Sequence, residues 1–426
     1  MRKALSGLLV FVLLLVPTQF LNASTIKAGS ACTKLGQSQI INGYKYNCIK
    51  SGKKLVWNKS VAIPKPAPII TSTPSPSPSP SPSPSPTNQT NIGDISNLNC
   101  ENSGYLTWDT IYDNHQNISC VVWKNISTII QTHQATAPII QVVSGPNTSP
   151  YFKNPQENID LVSRTFFSAS EPKRVLLLYY NYIDREWADN YLKQTLSTIE
   201  YQTETSNEGG NIVSKNDCLD SFKSCKGQKE ITTQDGTDTA LIIMGVGNSA
   251  GQECINGSCW GNPSGEIAVM SGLTEAHEFF HSLQRQTQLG ASLQSADEPP
   301  VWMVEGGAEF IESSVIFYGN FQDYQKFRLL DPVQVPITEN WLKQYLDPSN
   351  IGNDWSNYNR DLAYGLGSRI TEALASIKGP QSLLDIFTLM SKHVTFQDAF
   401  REIYGIDYVK AIPVLAKTIT AEYSDS

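Results

Sequence analysis

The spacing of apolar residues changes along the chain. Uninterrupted apolar runs at 176–180 and 240–244 are typical of buried strands, and a shorter run at 267–270 predicts another strand. Between the first two runs, residues 186–203 carry apolar side chains at helical spacing, which predicts one helix. Beyond residue 271 the pattern is almost entirely helical. The order of these elements predicts an α+β fold with a mixed-sheet upper lobe, a helical lower lobe and a cleft between them.

The first residues follow a different pattern. Arg2 and Lys3 precede a largely apolar stretch from 4 to 16, and the small residue Ala23 follows it. This order is typical of a secretory signal, so we expect residues 1–23 to be removed and the protein to be secreted or associated with the cell surface. The apolar stretch is too short to cross a bilayer. The apolar stretches that follow it are also too short, so we predict no transmembrane span.

Composition divides the rest of the chain into three parts. Residues 24–61 contain two cysteines and several turn-forming glycines, which predicts a small module of short strands held by one disulfide. Residues 62–95 include a Ser-Pro alternation from Pro74 to Pro86, which favours an extended polyproline conformation and predicts a semi-rigid linker. Residues 96–426 are numerous enough to bury a large core, and we expect them to form one two-lobed domain.

All eight cysteines follow the signal segment. An even number of cysteines in an exported chain favours four disulfides. Sequence does not fix their connectivity, but joining neighbours is the simplest pairing. Metal binding by cysteines is disfavoured, because the chain lacks paired C-x-x-C spacings. The expected pairs are 32–48, 100–120, 218–225 and 254–259.

Charge is distributed unevenly. Residues 24–68 contain eight lysines and no acid, so this segment could bind an anionic cell-envelope polymer, or it could simply be a solvated surface. Removing those lysines and the two cations of the signal from 32 leaves 22 cations against 40 acids, which is a charge of −18. An acidic body of this kind argues against a nucleic-acid partner, since phosphate contacts need clustered cations.

The chemistry that stands out lies in a helix predicted from about 273 to 286. His277 and His281 are four residues apart, so both imidazoles project from one helix face and can reach one metal ion. Glu278 follows the first histidine and would lie beside such an ion. The alternative, that both histidines merely pack in the core, would leave Glu278 buried without compensation, which is costly.

A catalytic zinc takes three protein ligands and a water molecule, and Glu305 is the best candidate for the third ligand. Pro299 and Pro300 favour a helix start, so we predict a helix from 301 to about 317. Glu305 and Glu309 then share one face, and Glu309 is expected to accept a hydrogen bond from a ligand histidine. The competing interpretation is that both are solvent-facing acids.

These two motifs resemble those of the gluzincin metallopeptidases, a group that includes thermolysin and aminopeptidases whose second motif reads N-E-G-x-A-E. Here Val304 precedes Glu305 where many aminopeptidases have Asn. The resemblance covers about 260–405 and implies a zincin-like catalytic domain, a zinc cofactor and a peptide or protein substrate. It also implies a residue that hydrogen-bonds the oxyanion, for which Tyr364 is the first candidate and Tyr358 the second. A core-packing role for either tyrosine is an open alternative.

The sequence therefore predicts a secreted zinc endopeptidase in which His277, His281 and Glu305 hold the metal and Glu278 is the general base. Two alternatives stay open. One is an envelope-binding surface protein whose metal lobe is structural or degenerate. The other is a zinc amidase that acts on cell-wall material.

Overall fold

The chain folds as two compact units, Met1–Thr87 and Asn88–Ser426. Each unit has its own strands, and they are described separately below. The predicted signal segment, and the predicted linker beyond Ala62, lie outside the residues that the structure describes. This computed structural model describes residues 27–62 with short gaps, 104–208, 218–248 with gaps, 253–260 with a gap, 268–289, 299–328, 333–350 with a gap, and 360–424.

The first unit is a three-stranded antiparallel meander of β1 (Ser38–Ile41), β2 (Tyr44–Ser51) and β3 (Lys54–Ala62). Cys48 and its register partner Trp57 are both buried, and Cys48 forms a disulfide with Cys32. The predicted strand module with one disulfide is confirmed. A disulfide stabilises a sheet of this size, which buries few apolar side chains.

The second unit is built on a four-stranded sheet with the order β4-β5-β9-β8. Strands β4, β5 and β9 are parallel, whereas β8 pairs antiparallel with β9 and forms one edge. Among the residues that the structure describes, two small hairpins add four further strands. In chain order these are β4 (Gln141–Ser144), β5 (Arg174–Tyr180), β6 (Cys218–Leu219), β7 (Ser224–Cys225), β8 (Gln228–Thr232), β9 (Thr239–Gly245), β10 (Glu253–Ile255) and β11 (Ser258–Trp260).

The central strands β5 and β9 have uninterrupted apolar runs because both faces of the sheet are covered there. Leu177 and Ile242 face the core shared with the helical lobe. Leu176 and Ile243 face a second, smaller core on the opposite side. Both predicted strands are confirmed, and together with the helices they confirm the α+β class.

The helices around the sheet are α1 (Ile118–Thr132), α2 (Pro155–Thr165), α3 (Arg185–Thr195) and α4 (Thr198–Glu208). The single helix predicted for 186–203 is wrong, because the chain breaks at Leu196 and Ser197. The Glu200 side chain accepts from the Ser197 amide at 3.0 Å, and the Ser197 hydroxyl accepts from the Glu200 amide at 3.2 Å. This reciprocal pair starts a new helix, and its S-x-x-E signature was present in the sequence.

The strand predicted at 267–270 is also wrong. Residues 268–271 are helical and lead through Gly272 into the next helix. A run of four apolar residues cannot by itself distinguish a strand from one buried helical turn. One edge of the sheet is β8, a mostly polar segment that the apolar pattern did not reveal.

The remaining helices form the lower lobe and bury most of the larger core against one face of the sheet. The helices predicted from 273 and 301 are confirmed. In chain order they are α5 (Leu273–Gln288), α6 (Val301–Ile316), α7 (Phe321–Arg328), α8 (Glu339–Tyr345), α9 (Arg360–Lys378), α10 (Gln381–Met390), α11 (Phe396–Tyr404) and α12 (Tyr408–Ser424).

A second predicted disulfide, Cys218–Cys225, is present and closes the β6–β7 hairpin. Cys120 is disulfide-bonded as well, but its predicted partner at position 100 lies outside the described residues. Cys254 stands opposite Cys259 in the β10–β11 register. Within the part of the chain that the structure describes, none of the helices has both the length and the apolar composition required to cross a bilayer.

Candidate metal centre

The start of α5 is fixed by its neighbour α2. Gly272 precedes the helix with φ +73°, in the left-handed region that favours glycine. A Cβ there would collide with the side chains of Asn158 and Phe152. The Asn158 amide donates to the carbonyls of Ser271 and Gly272, each at 2.8 Å. These contacts set where α5 begins and therefore which of its faces meets the cleft.

Two helices bring three ligand atoms to one point. On α5, the Nε2 atoms of His277 and His281 lie 3.1 Å apart. On α6, Glu305 places Oε2 at 3.6 Å from His277 Nε2 and 3.3 Å from His281 Nε2. The three residues form a group whose ligand atoms all lie within 4.8 Å of one another. The three sequence-predicted ligands therefore converge.

These separations fit a zinc ion. Ligand atoms at about 2.0–2.1 Å from a tetrahedral centre lie about 3.3–3.4 Å from one another, and the three distances above bracket that value. Imidazole nitrogens and a carboxylate oxygen are also the donor set of catalytic zinc. Other divalent cations accept the same donors, so the three residues form a candidate site for a divalent metal ion with tetrahedral spacing.

The far nitrogen of each imidazole has its own acceptor. His277 Nδ1 donates to Glu312 Oε2 at 3.1 Å, and His281 Nδ1 donates to Gln284 Oε1 at 2.7 Å. The Gln284 amide in turn donates to the Val304 carbonyl, one residue before Glu305, at 3.1 Å. When both imidazoles are neutral and carry their protons on Nδ1, both Nε2 lone pairs are directed at the shared point, as metal binding requires.

The structure places Glu312, rather than Glu309, at hydrogen-bonding distance from the ligand histidine. Glu309 Oε2 lies 3.7 Å from His277 Nδ1, whereas Glu312 Oε2 lies 3.1 Å away and is more deeply buried. Glu312 was not among the residues predicted from the sequence, which ended one helical turn earlier at Glu309. Positions 305, 309 and 312 share one helix face, and the apolar neighbours of Glu312 predict burial.

Tyr364 lies against the same group, and its ring stacks on the His277 imidazole with centroids 5.8 Å apart and an interplanar angle of 13°. It lies within α9. The reserve candidate at position 358 lies outside the described residues. The stacking places the Tyr364 ring next to one of the three converging ligand residues.

Glu278 is buried on α5, with 7% of its surface exposed. One turn earlier, Glu275 accepts a hydrogen bond from the Tyr179 hydroxyl at 2.8 Å. Burial raises the pKa of Glu275 to about 7, and the hydrogen bond from Tyr179 only partly offsets that effect. Four carboxylates therefore crowd the buried side of this site, at positions 275, 278, 305 and 312. A cation is the natural counter-charge for such a cluster.

The site is electrostatically coupled. Burial by itself lowers the pKa of His277, but hydrogen bonds with Glu305 and Glu312 outweigh it and hold that pKa well above its usual range. Burial by itself raises the pKa of Glu305, yet hydrogen bonds from His277 and His281 hold that pKa well below its usual range. Glu305 is therefore an anion at neutral pH, which is the form that binds metal.

Two glycines allow the helix of Glu305 to approach α9. A Cβ on Gly306 would overlap the backbone of Gly367, and a Cβ on Gly367 would press on the Trp302 carbonyl at 2.6 Å. The Thr371 hydroxyl donates to the Gly306 carbonyl at 3.0 Å across this contact. Close packing at Gly306 therefore fixes the position of Glu305 relative to the two histidines.

The raised pKa of Glu230, on the edge strand β8, predicts that the stability of the protein depends on pH. Burial raises its pKa to about 7, against the opposing effects of Thr232, Arg285 and His281. Between pH 4.5 and 7 the folded protein therefore binds more protons here than the unfolded chain, so stability falls as pH rises through this window. In Glu230→Gln that fall should shrink by about 1–2 kcal/mol, after allowance for the partial exposure of the side chain.

Urea titrations of both proteins at pH 5 and pH 8 measure this difference. The comparison cancels the contributions of other carboxylates, including Glu275. An equal pH dependence in wild type and Glu230→Gln would contradict the assignment of a raised pKa to this residue.

No protein-family model matches the chain, and no curated protein or solved structure shows significant similarity to it. The interpretation of the site therefore rests on the residues and geometry described above. The resemblance to gluzincins stays an inference from the two motifs and from the convergence of their side chains.

Proposed function

We propose that the chain is a zinc-dependent endopeptidase with a zincin-like catalytic domain. The observation that carries this proposal is the convergence of His277, His281 and Glu305 from two adjacent helices. Glu278, directly after the first histidine, supplies the base that such a site uses. A purely structural metal site is closed by protein ligands and has no need of a base.

The proposed mechanism assigns one task to each side chain. Zinc, when bound, makes a water molecule acidic and polarises the scissile carbonyl. Glu278 takes the proton of the attacking water and then delivers it to the departing amine. Tyr364, beside His277, donates a hydrogen bond to the developing oxyanion. Glu312 and Gln284 hold the two imidazoles in the tautomer and orientation that ligation requires.

The edge strand β8 supplies a backbone surface for an extended substrate. It is the last strand in the sheet order, and its side opposite β9 is the edge of the sheet. The position of Glu230 near His281 and Arg285 shows that β8 runs close to α5. An extended peptide can add to such an edge by main-chain hydrogen bonds, which suits an enzyme that cleaves within chains.

We also propose that the protein works outside the cytoplasm. The Cys32–Cys48 and Cys218–Cys225 disulfides support an oxidising compartment. The lysine-rich first unit remains a candidate for binding an anionic envelope polymer. Pull-down of the full chain on cell envelopes, with and without added polyanion, tests that role independently of catalysis.

Cleavage assays test the enzymatic proposal. The purified chain, loaded with zinc, is incubated with a library of blocked peptides and separately with murein fragments. Internal peptide cleavage that a chelator abolishes and added zinc restores is the expected result. Cleavage of murein amides alone would favour the amidase alternative, and absence of any cleavage by zinc-loaded protein would reject the proposal.

The histidine partners give a second test. Glu312→Leu removes the acceptor of His277 Nδ1 at nearly constant volume, so zinc affinity should fall about 10–100-fold. Glu312→Gln should lose less, because its amide oxygen still accepts the hydrogen bond. Glu309→Leu should also lose less than Glu312→Leu, since Glu309 Oε2 is 3.7 Å away. Competition with a chromophoric chelator measures all three, and a larger loss for Glu309→Leu would contradict the assignment.

A further inference from the structure

A cavity of about 610 Å³ lies beyond the carboxyl ends of the three parallel strands, outside the metal centre. Its walls are the segments that follow β4, β5 and β9, together with Lys223 from the disulfide-closed hairpin. In open sheets with parallel strands, ligands bind in the crevice beyond these ends. The volume falls within the range of about 300–1,000 Å³ that is usual for small-molecule sites.

The loop after β4 is held in place by a buried carboxylate. Asp184 accepts from the Asn147 amide at 2.8 Å, from Asn147 Nδ2 at 2.9 Å and from the Thr148 hydroxyl at 2.6 Å. A Cβ on Gly145 would collide with the same side chain. Burial alone raises the pKa of Asp184, but the hydrogen bonds from Thr148 and Asn147 outweigh it and lower that pKa. The negative charge of Asp184 is thus stabilised by hydrogen bonds from the loop after β4.

The loop after β5 is fixed to the first loop. The Asn181 amide nitrogen donates to the Thr148 hydroxyl at 2.9 Å, and Asn181 Nδ2 donates to the Asn147 carbonyl at 2.6 Å. On the other wall, the Tyr151 hydroxyl donates to the Gly247 carbonyl at 3.1 Å, which joins the loop after β4 to the one after β9. All three walls are therefore preorganised, which lowers the cost of binding.

The charge of the cavity is opposite to that of the acidic body. Lys153 and Lys223 line it, and there is no Asp or Glu among the lining residues. Lys223 Nζ donates to the Tyr182 hydroxyl at 2.9 Å and lies 4.8 Å from the centre of that ring. Lys153 Nζ donates to the Ser149 hydroxyl at 3.0 Å. Among the described residues, these two ammonium groups bond to neutral hydroxyls rather than to carboxylates.

The backbone conformation at Lys223 is unusual for a lysine, which indicates that the position of this side chain is specific. It lies in the loop that the Cys218–Cys225 disulfide closes, and its φ is +52°, where non-glycine residues are uncommon. A glycine would adopt this conformation at lower cost. The disulfide therefore holds a lysine in a turn where its ammonium group reaches the cavity wall.

We propose that this cavity binds a small molecule through an oxyanion group, either a carboxylate or a phosphate. Lys153 and Lys223 provide the charge, and hydroxyl and amide groups on the loops provide further donors. The site is separate from the metal centre, and its function does not depend on the proposed peptidase activity.

Isothermal titration calorimetry of the full chain tests the proposal with two probes, inorganic phosphate and N-acetylglycine, each against sodium chloride of matched ionic strength. Saturable binding of either probe at one site is the expected result. Stronger binding of phosphate identifies a phosphate-bearing ligand, and stronger binding of N-acetylglycine identifies a free carboxylate. Absence of saturable binding for both probes overturns the proposal.

Variants locate the binding. Lys153→Gln and Lys223→Gln should each weaken it by at least about tenfold, because each removes a charged donor. Tyr182→Phe should weaken it without any change in net charge, since it frees the Lys223 side chain. Lys193→Gln is the matched control, because Lys193 also lies over a tyrosine ring, that of Tyr201, but outside the cavity. Equal weakening in the control and cavity variants would overturn the proposal.

Discussion

Glu278→Gln should lower the rate of peptide cleavage by at least about a hundredfold while the protein still binds zinc. Glutamine is nearly the same size as glutamate and leaves His277, His281 and Glu305 in place, but it cannot accept a proton from water. The measurement is the cleavage rate of a quenched peptide at saturating zinc, together with the metal content of the same sample.

The matched control is Glu186→Gln on α3, an exposed acid in a first helical turn. This substitution removes the same charge at a position far along the sequence from the metal ligands, so the rate of cleavage should not change. Cleavage by zinc-loaded Glu278→Gln at close to the wild-type rate would show that another group is the base.

Gly306→Ala should destabilise the protein by about 3 kcal/mol and weaken zinc binding with it. The added methyl group overlaps the backbone of Gly367, which cannot rotate away as a side chain can, so α6 and α9 must separate. That separation moves Glu305, the neighbouring residue, away from the two imidazoles. Urea unfolding with and without zinc measures both effects.

Gly307→Ala is the control for this prediction. A Cβ at Gly307 meets Phe280 at 3.4 Å and Gln284 at 3.7 Å, which are ordinary contacts. Alanine also favours the helix by about 1 kcal/mol over glycine, so this variant should be neutral or more stable. Similar destabilisation by the two variants would mean that general helix packing, rather than the contact with Gly367, limits substitution here.

The sequence was most informative where one local pattern determines both position and chemistry. His277 and His281 belong to one helix, so their spacing alone places both on one face. The long apolar runs of β5 and β9 likewise predict strands buried on both sides. Glu305 lies on a second helix, whose packing must bring it to the two histidines. The sequence predicted Glu305 as the third ligand, but it did not show the glycine contact that sets the position of this helix.

Other features depend on contacts that no local pattern contains. The turn at residues 268–271 looked like a strand because four apolar residues fit both structures. The edge strand β8 is mostly polar and was not predicted. Glu312 was not predicted from the sequence, and the three-dimensional position of His277 shows that it lies closer to Nδ1 than Glu309 does. The cavity above the sheet joins loops that are about 100 residues apart.

Zinc X-ray absorption spectroscopy on the purified full chain tests the central claim most directly. We expect one zinc per chain, with two imidazole nitrogens and one carboxylate oxygen at about 2.0–2.2 Å, and loss of the imidazole signal in a variant with His277→Ala and His281→Ala. A protein that does not take up zinc, or a zinc whose imidazole ligands persist in that double variant, would contradict it.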